Sequence, residues 1–189
     1  MDRRGFTLVE VVAAVSLLAV VGLSVSTALI AGRAVALHGR EQTIGRIAAQ
    51  SRLATLTALA FSRSTDATGT TIVVTDTTTD LTVDPPAAGG AGLLPSPADA
   101  LWRDIPGYVD YLDPTGRGLG GGADARARAA YVRRWAIGRL GAGAGEVALL
   151  SVLVAPAGTA LRAAASDPAR LGDHPGVVVL RGMRLRESR

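Results

Sequence analysis

The chain has 189 residues and a formal net charge of +4, with 48% hydrophobic, 4% aromatic and 19% charged residues and no Cys. The lack of Cys excludes a disulfide framework, a thiolate metal site and a cysteine nucleophile, and two His residues, His38 and His174, are too few for a His-rich metal centre. All twenty basic residues are Arg, which does not deprotonate in range, so the pI near 10.5 reflects composition and is not read as a nucleic-acid-binding footprint.

The chain opens with Arg3 and Arg4, and from Val11 to Ala31 it carries no charge. Counted from Leu8 the apolar run has 24 residues. As a helix that is about 36 Å, enough to cross a hydrocarbon core of about 30 Å. The basic leader predicts a cytoplasmic N-terminus and an exported remainder. One charge, Glu10, sits inside the apolar opening, where a carboxylate is costly and needs a partner. Thr7-x-x-Glu10 also fits a capping box that starts a helix. An ordinary cleaved signal ending near Ser26-Thr27-Ala28, a twin-arginine signal on Arg3-Arg4-x-Phe6 and a simple membrane anchor are the competing readings. Against both signals, Glu10 stands where the apolar region of a signal begins, and the run exceeds the usual length of about 7–15 residues.

The stretch Arg4-Gly5-Phe6-Thr7-Leu8-Val9-Glu10, followed by about twenty apolar residues, resembles the type IV pilin and type II secretion pseudopilin family. That resemblance implies a leader of residues 1–5, cleavage between Gly5 and Phe6 by a membrane prepilin peptidase, and methylation of the new amino terminus on Phe6. It implies that Glu10 acts in processing and assembly by pairing with the amine of a neighbouring subunit. It also implies a ladle-shaped α+β fold, in which a long helix, first hydrophobic and then amphipathic, packs on a small antiparallel sheet.

Beyond Ile30 the helical pattern turns amphipathic. Arg33, Arg40, Arg46 and Arg52 recur at spacings of seven, six and six, with Leu37, Ile44, Ile47, Leu53 and Leu56 between them. The pattern predicts one helix over 6–61, membrane or filament core over 6–32 and amphipathic over 33–61, with the Arg series on a solvated face and contacts between filament subunits as the alternative. Residues 62–129 read as a variable loop region with short strands. Thr70–Thr75 is a strand, Leu81-Thr82-Val83 a candidate return strand, Val109–Leu112 a strand entering the Asp113-Pro-Thr-Gly turn, and Gly118–Gly122 a flexible stretch. Residues 130–189 read as the antiparallel sheet. Ala130–Arg139 places Tyr131, Arg133, Trp135 and Ile137 on one side and Val132, Arg134, Ala136 and Gly138 on the other. Leu140–Gly145 turns, Glu146–Ala155 is a central strand, Pro156–Pro175 is loop or short helix, and Val177–Leu180 continues toward Leu185 as the last strand. The Tyr-x-Arg-Arg-Trp-x-Ile strand followed by an apolar strand resembles minor pilins and pseudopilins, more loosely than the N-terminus resembles the family.

No residue set reads as catalytic. Asp110-x-x-Asp113-x-x-Gly116 lacks the closer alternating ligands and late Glu of a calcium loop, and turn chemistry accounts for Asp113. Gly118–Gly122 lacks the Lys-Ser/Thr of a phosphate loop. Ser16, Ser24 and Ser26 read as small residues for close helix packing, and Trp102 and Trp135 as core. The sequence therefore predicts a structural subunit, minor or tip-associated, of a type IV pilus or secretion pseudopilus, without enzymatic activity, metal or cofactor. Its implied partners are the prepilin peptidase/methyltransferase, other pilin or pseudopilin subunits, the inner-membrane assembly platform and lipid, with no nucleic acid. Its implied place is the inner membrane, with the C-terminal domain periplasmic, and then a periplasmic or surface filament. An exported binding or catalytic domain on a Sec or twin-arginine signal is the alternative.

Overall fold

The computed structural model describes residues 8–65, 68–141, 146–160, 174 and 176–188. Helix α1 runs Leu8–Ala58. The chain divides into two compact units, Met1–Arg40 and Glu41–Arg189, so α1 contributes to both.

Over its described residues, the first unit is the apolar part of α1. An 18-residue window there reaches a mean hydropathy of 2.5 with none of it buried. Its hydroxyls are satisfied locally: Ser16, Ser24 and Ser26 donate to the carbonyls of Val12, Val20 and Gly22 at 2.8, 2.9 and 2.8 Å. Such bonds let polar side chains lie in an environment without water.

The second unit is built on a five-stranded sheet in the order β6-β5-β7-β8-β9, antiparallel throughout. Its strands are β5 (Val109–Leu112), β6 (Gly118–Gly120), β7 (Tyr131–Leu140), β8 (Val147–Pro156) and β9 (Val178–Leu185). Ten pairs join β7 to β8, from Tyr131↔Pro156 to Leu140↔Val147. The period-2 alternation of β7 puts Tyr131, Trp135 and Ile137 on the face covered by α1. There they meet Ala148, Leu150, Val152 and Val154 of β8 and Ala48, Ala49 and Leu56 of the helix. Gly45, Ala48, Ala49, Arg52 and Leu56 are the buried residues of α1, a stripe at helical spacing. The opposite face buries Val109, Tyr111, Val132, Leu153 and Ala155 beneath Leu101 and Ala125, the latter on α2 (Ala123–Arg128).

A smaller sheet has the order β10-β1-β2, from β1 (Phe61–Thr65), β2 (Thr71–Thr75) and β10 (Glu187–Ser188). A two-stranded ladder joins β3 (Thr79–Asp80) to β4 (Ala87–Ala88).

Several sequence expectations change. The helix ends at Ala58 and not near Phe61. The Ala60 carbonyl instead accepts the Asp76 N–H at 2.9 Å, and Phe61 is buried as the first residue of β1, with the Arg186 guanidinium 4.6 Å over its ring. Strand β2 pairs with β1, and Leu81-Thr82-Val83 is no return strand. Asp80 Oδ1 accepts both the N–H and the hydroxyl of Thr82 at 2.7 Å, an Asx turn that diverts the chain. Part of Gly118–Gly122 is strand β6. Gly121 is needed for close approach, since a Cβ there would lie 2.9 Å from Thr82 Cβ and 3.1 Å from the Val109 carbonyl. Most of the Leu140–Gly145 turn and of the Pro156–Pro175 segment falls outside the described residues.

Candidate functional sites on the helix and at its junction with the sheet

Two sets of residues carry chemistry, one in each unit. In the first, Glu10 lies in the opening turn of α1 and is solvent-exposed, on a helix exposed throughout that unit. Thirteen large apolar side chains from Leu8 to Ile30 are at least half exposed, among them Leu8 at 81% and Ile30 at 71%. Covering them at about 1.5 kcal/mol each is a driving force of roughly 20 kcal/mol for lipid or helix contact. The cleavage and methylation positions, Gly5 and Phe6, lie outside the described residues. His38 is exposed on the helix and shares a 2.8 Å hydrogen bond with the Ala34 carbonyl, and His174 is also exposed.

In the second unit, Asp110 faces α1 from β5, directly opposite Arg133 of β7 in the register. Arg133 grips its carboxylate with two bonds, Nε to Oδ1 at 2.9 Å and Nη2 to Oδ2 at 2.6 Å, and gives its third nitrogen to the Ala48 carbonyl of α1 at 3.1 Å. Arg52 of α1 adds Nη2 to Oδ2 at 2.7 Å and lies 4.6 Å over the Trp135 ring. All three charged side chains are buried, at 6% exposure or less for Arg52 and Asp110. The pair of guanidinium groups on one carboxylate leaves an excess positive charge at a buried site, offset in part by Asp84. Burial therefore pulls the Arg52 pKa down, against the pull of Asp110 upward and with the repulsion of Arg133. This network fixes the helix on the sheet.

Arg134, on the opposite face, reaches Asp104 at 2.7 Å and the Trp102 carbonyl at 2.9 Å. Asp104 also accepts the Tyr111 hydroxyl at 3.1 Å; burial first, and this carboxylate second, push the phenol up to about 12. Glu146 takes Arg186 at 2.8 Å and Arg139 at 3.2 Å.

The structure thus overturns the solvated placing of Arg52, while Arg33, Arg40 and Arg46 are exposed. Spacing could not separate them, because the groups that capture Arg52 are far along the chain. The carboxylates of the weighed calcium loop are committed elsewhere. Asp110 is held by two Arg residues, and Asp113 Oδ1 accepts the Thr115 N–H and hydroxyl at 2.7 and 2.6 Å and the Arg117 N–H at 3.0 Å. Among the described residues no group of three His, Cys, Asp or Glu is placed to hold a metal. Trp135 is fully buried in the core, and Trp102 is partly buried.

A long apolar N-terminal helix leading into an α+β unit with a small antiparallel sheet is a pilin-like architecture. Residues 1–26 match the family model described as the prokaryotic N-terminal methylation motif, so the chain carries a type IV pilin-like prepilin segment, which supports a pilin- or pseudopilin-like precursor. The motif implies processing by a prepilin peptidase and assembly with other pilins, and its family is structural rather than catalytic. The comparison with curated proteins and the comparison with solved structures each returned no match.

Proposed function

We propose that the chain is a structural subunit, minor or tip-associated, of a type IV pilus or type II secretion pseudopilus, and not an enzyme. On this reading residues 1–5 are a leader removed between Gly5 and Phe6, Phe6 becomes the methylated amino terminus, and residues 6–32 are first a membrane anchor and then filament core. Residues 33–58 form the second half of the helix, and the rest of the chain forms the exported loops and sheet. The subunit waits in the inner membrane with its N-terminus cytoplasmic and its sheet unit periplasmic, and the assembly platform extracts it into a periplasmic or surface filament.

One observation carries the reading: the methylation motif at residues 1–26 runs into an apolar helix that the described residues leave uncovered. Lipid and then sister helices cover such a surface equally well, which a filament subunit needs and a soluble enzyme does not. Glu10 supports the assembly step. Its carboxylate lies in the first turn, where pairing with a neighbour's amine neutralises both groups in a medium that water does not reach.

Expression of the full chain with and without an active prepilin peptidase tests the proposal. Loss of the five-residue leader only in the presence of the peptidase is the expected result, and peptidase-independent cleavage near Ala28 or Ala31 would assign the segment to an ordinary export signal.

A further inference from the structure

Among the described residues, the second unit leaves one long sheet edge open. Strand β9 pairs with β8 alone, from Val154↔Val178 to Val147↔Leu185. Its hydrogen-bond phase follows from the next pair: the Arg186 N–H donates to the Glu146 carbonyl at 3.1 Å. In an antiparallel ladder bonded pairs alternate with unbonded ones. Val178, Leu180, Gly182 and Arg184 therefore bond to β8, and Val179, Arg181, Met183 and Leu185 turn their N–H and C=O groups outward. Those outward groups have no strand partner among the described residues.

The outward residues also carry an uncovered apolar surface. On the face away from α1, Leu140, Val147 and Leu185 share one row of the register, and Gly138, Leu149 and Met183 the next. Met183 is 78% exposed and Leu185 is 68% exposed. A depression of about 550 Å³ opens beside Met183, bordered by Leu101, Leu149, Ser151 and Arg181. Natural sheets blunt such an edge with Pro, bulges, short strands or charged side chains, and of the outward residues of β9 only Arg181 is charged. The other edge follows that rule, since β6 has three residues, but β9 has eight and none is Pro.

We infer that β9 is an augmentation site for an extended strand of a different subunit of the same assembly, a strand apolar at alternate positions and carrying an acidic residue opposite Arg181. This rests on the filament reading above. Main-chain bonds to the outward groups supply affinity, and the Met183 depression and Arg181 supply selection. Charge decides against a second copy. Val178–Leu185 carries Arg181 and Arg184 and no acid, so two β9 strands repel, and the edge strand β2 of a second copy, Thr71–Thr75, has no acid to offer.

Hydrogen exchange on the full chain, first in detergent micelles and then in isolated filaments, tests the inference. The amides of Arg181, Met183 and Leu185 are expected to slow roughly 100-fold on assembly, while those of Leu180 and Gly182, already bonded to β8, change little. Outward amides equally fast in filaments with a processed N-terminus would overturn the β9 site and leave the filament reading standing. Outward amides already slow in micelles would assign the edge to the chain itself and overturn the site as well. Failure of any filament to form would overturn the filament reading, and the β9 site with it.

Two variants add an independent reading. Met183→Pro deletes one outward donor without touching the β8 ladder and is expected to lower incorporation roughly tenfold, whereas Met183→Thr keeps the donor and retains most of it. Arg181→Glu, on a side chain that is exposed, leaves the fold intact and is expected to lower incorporation by a similar factor; unchanged incorporation would overturn the charge selection. Because the chain has no Cys, Met183→Cys gives a unique thiol for a benzophenone cross-linker. An adduct with a different subunit, together with the protection pattern, supports the site, and an adduct of the chain with itself overturns the assignment of the partner.

Discussion

Asp110→Asn isolates the interaction that ties helix to sheet. The wild-type carboxylate accepts three charge-assisted bonds at 2.6 to 2.9 Å, two from Arg133 and one from Arg52. Asn keeps the shape but offers one oxygen, and its NH₂ would face a guanidinium donor. Two buried cations then lose the carboxylate they share, with only the weaker pull of Asp84 on Arg52 left, and breaking a buried pair in this way costs about 3–5 kcal/mol. For a chain of this size that lowers the melting temperature by roughly 6–20 °C. The two arginines are not equivalent. Arg133→Met removes the two-bond partner and strands the carboxylate with one lateral contact, so its cost is again about 3–5 kcal/mol. Arg52→Met leaves a balanced Asp110–Arg133 pair and removes the excess cation, so the lost bond and the lost ring contact are partly offset and the net cost is roughly 1 kcal/mol. Urea unfolding of the full chain in micelles, followed by tryptophan fluorescence, reads all three, because Trp135 lies beneath Arg52. A cost below about 1 kcal/mol for Asp110→Asn, or equal costs for the two Arg variants, would refute the reasoning.

Other outcomes follow from the same geometry. Glu10→Gln is expected to insert but to fail in assembly, read as protein in the membrane without sedimentable filament. The pKa of Asp76 is lowered: burial pushes it up, but the Thr79 hydroxyl and the Thr78 and Thr79 amides outweigh burial. A folded value below the unfolded one adds stability above the ordinary carboxylate range that is lost as pH falls through the folded value, so Asp76→Asn should flatten the acid limb of a stability–pH curve and leave its alkaline limb unchanged. Gly45 faces Val178, where a Cβ would meet the Val178 side chain at 3.2 Å; Gly45→Leu should wedge helix from sheet and cost about 1–3 kcal/mol in the same unfolding assay.

What the sequence made legible is local. The apolar run with Glu10, the alternation of Tyr131–Leu140 and the apolar strand after it are patterns of period and composition, and the structure places strands β7, β8 and β9 close to where they were read. What escaped depends on distant partners. β1 reads as polar and helix-adjacent because its reasons to be a strand are β2 on one side and β10, from the far end of the chain, on the other. Arg52 looks like its exposed neighbours until Asp110, 58 residues away, is brought beneath it. Gly118–Gly120 looks flexible because glycine pattern alone does not show that β5 offers it a ladder.

The central claim is that residues 1–5 are a leader and that the mature protein begins at Phe6. Mass spectrometry of the N-terminal peptide of the protein purified from membranes tests it most directly. The account predicts a peptide starting with N-methylated Phe6 and retaining Glu10, in a mature chain whose side-chain charge falls from +4 to +3 through loss of Asp2, Arg3 and Arg4. An N-terminus generated after Ala28 or Ala31, or an intact Met1 in the presence of an active peptidase, would contradict it.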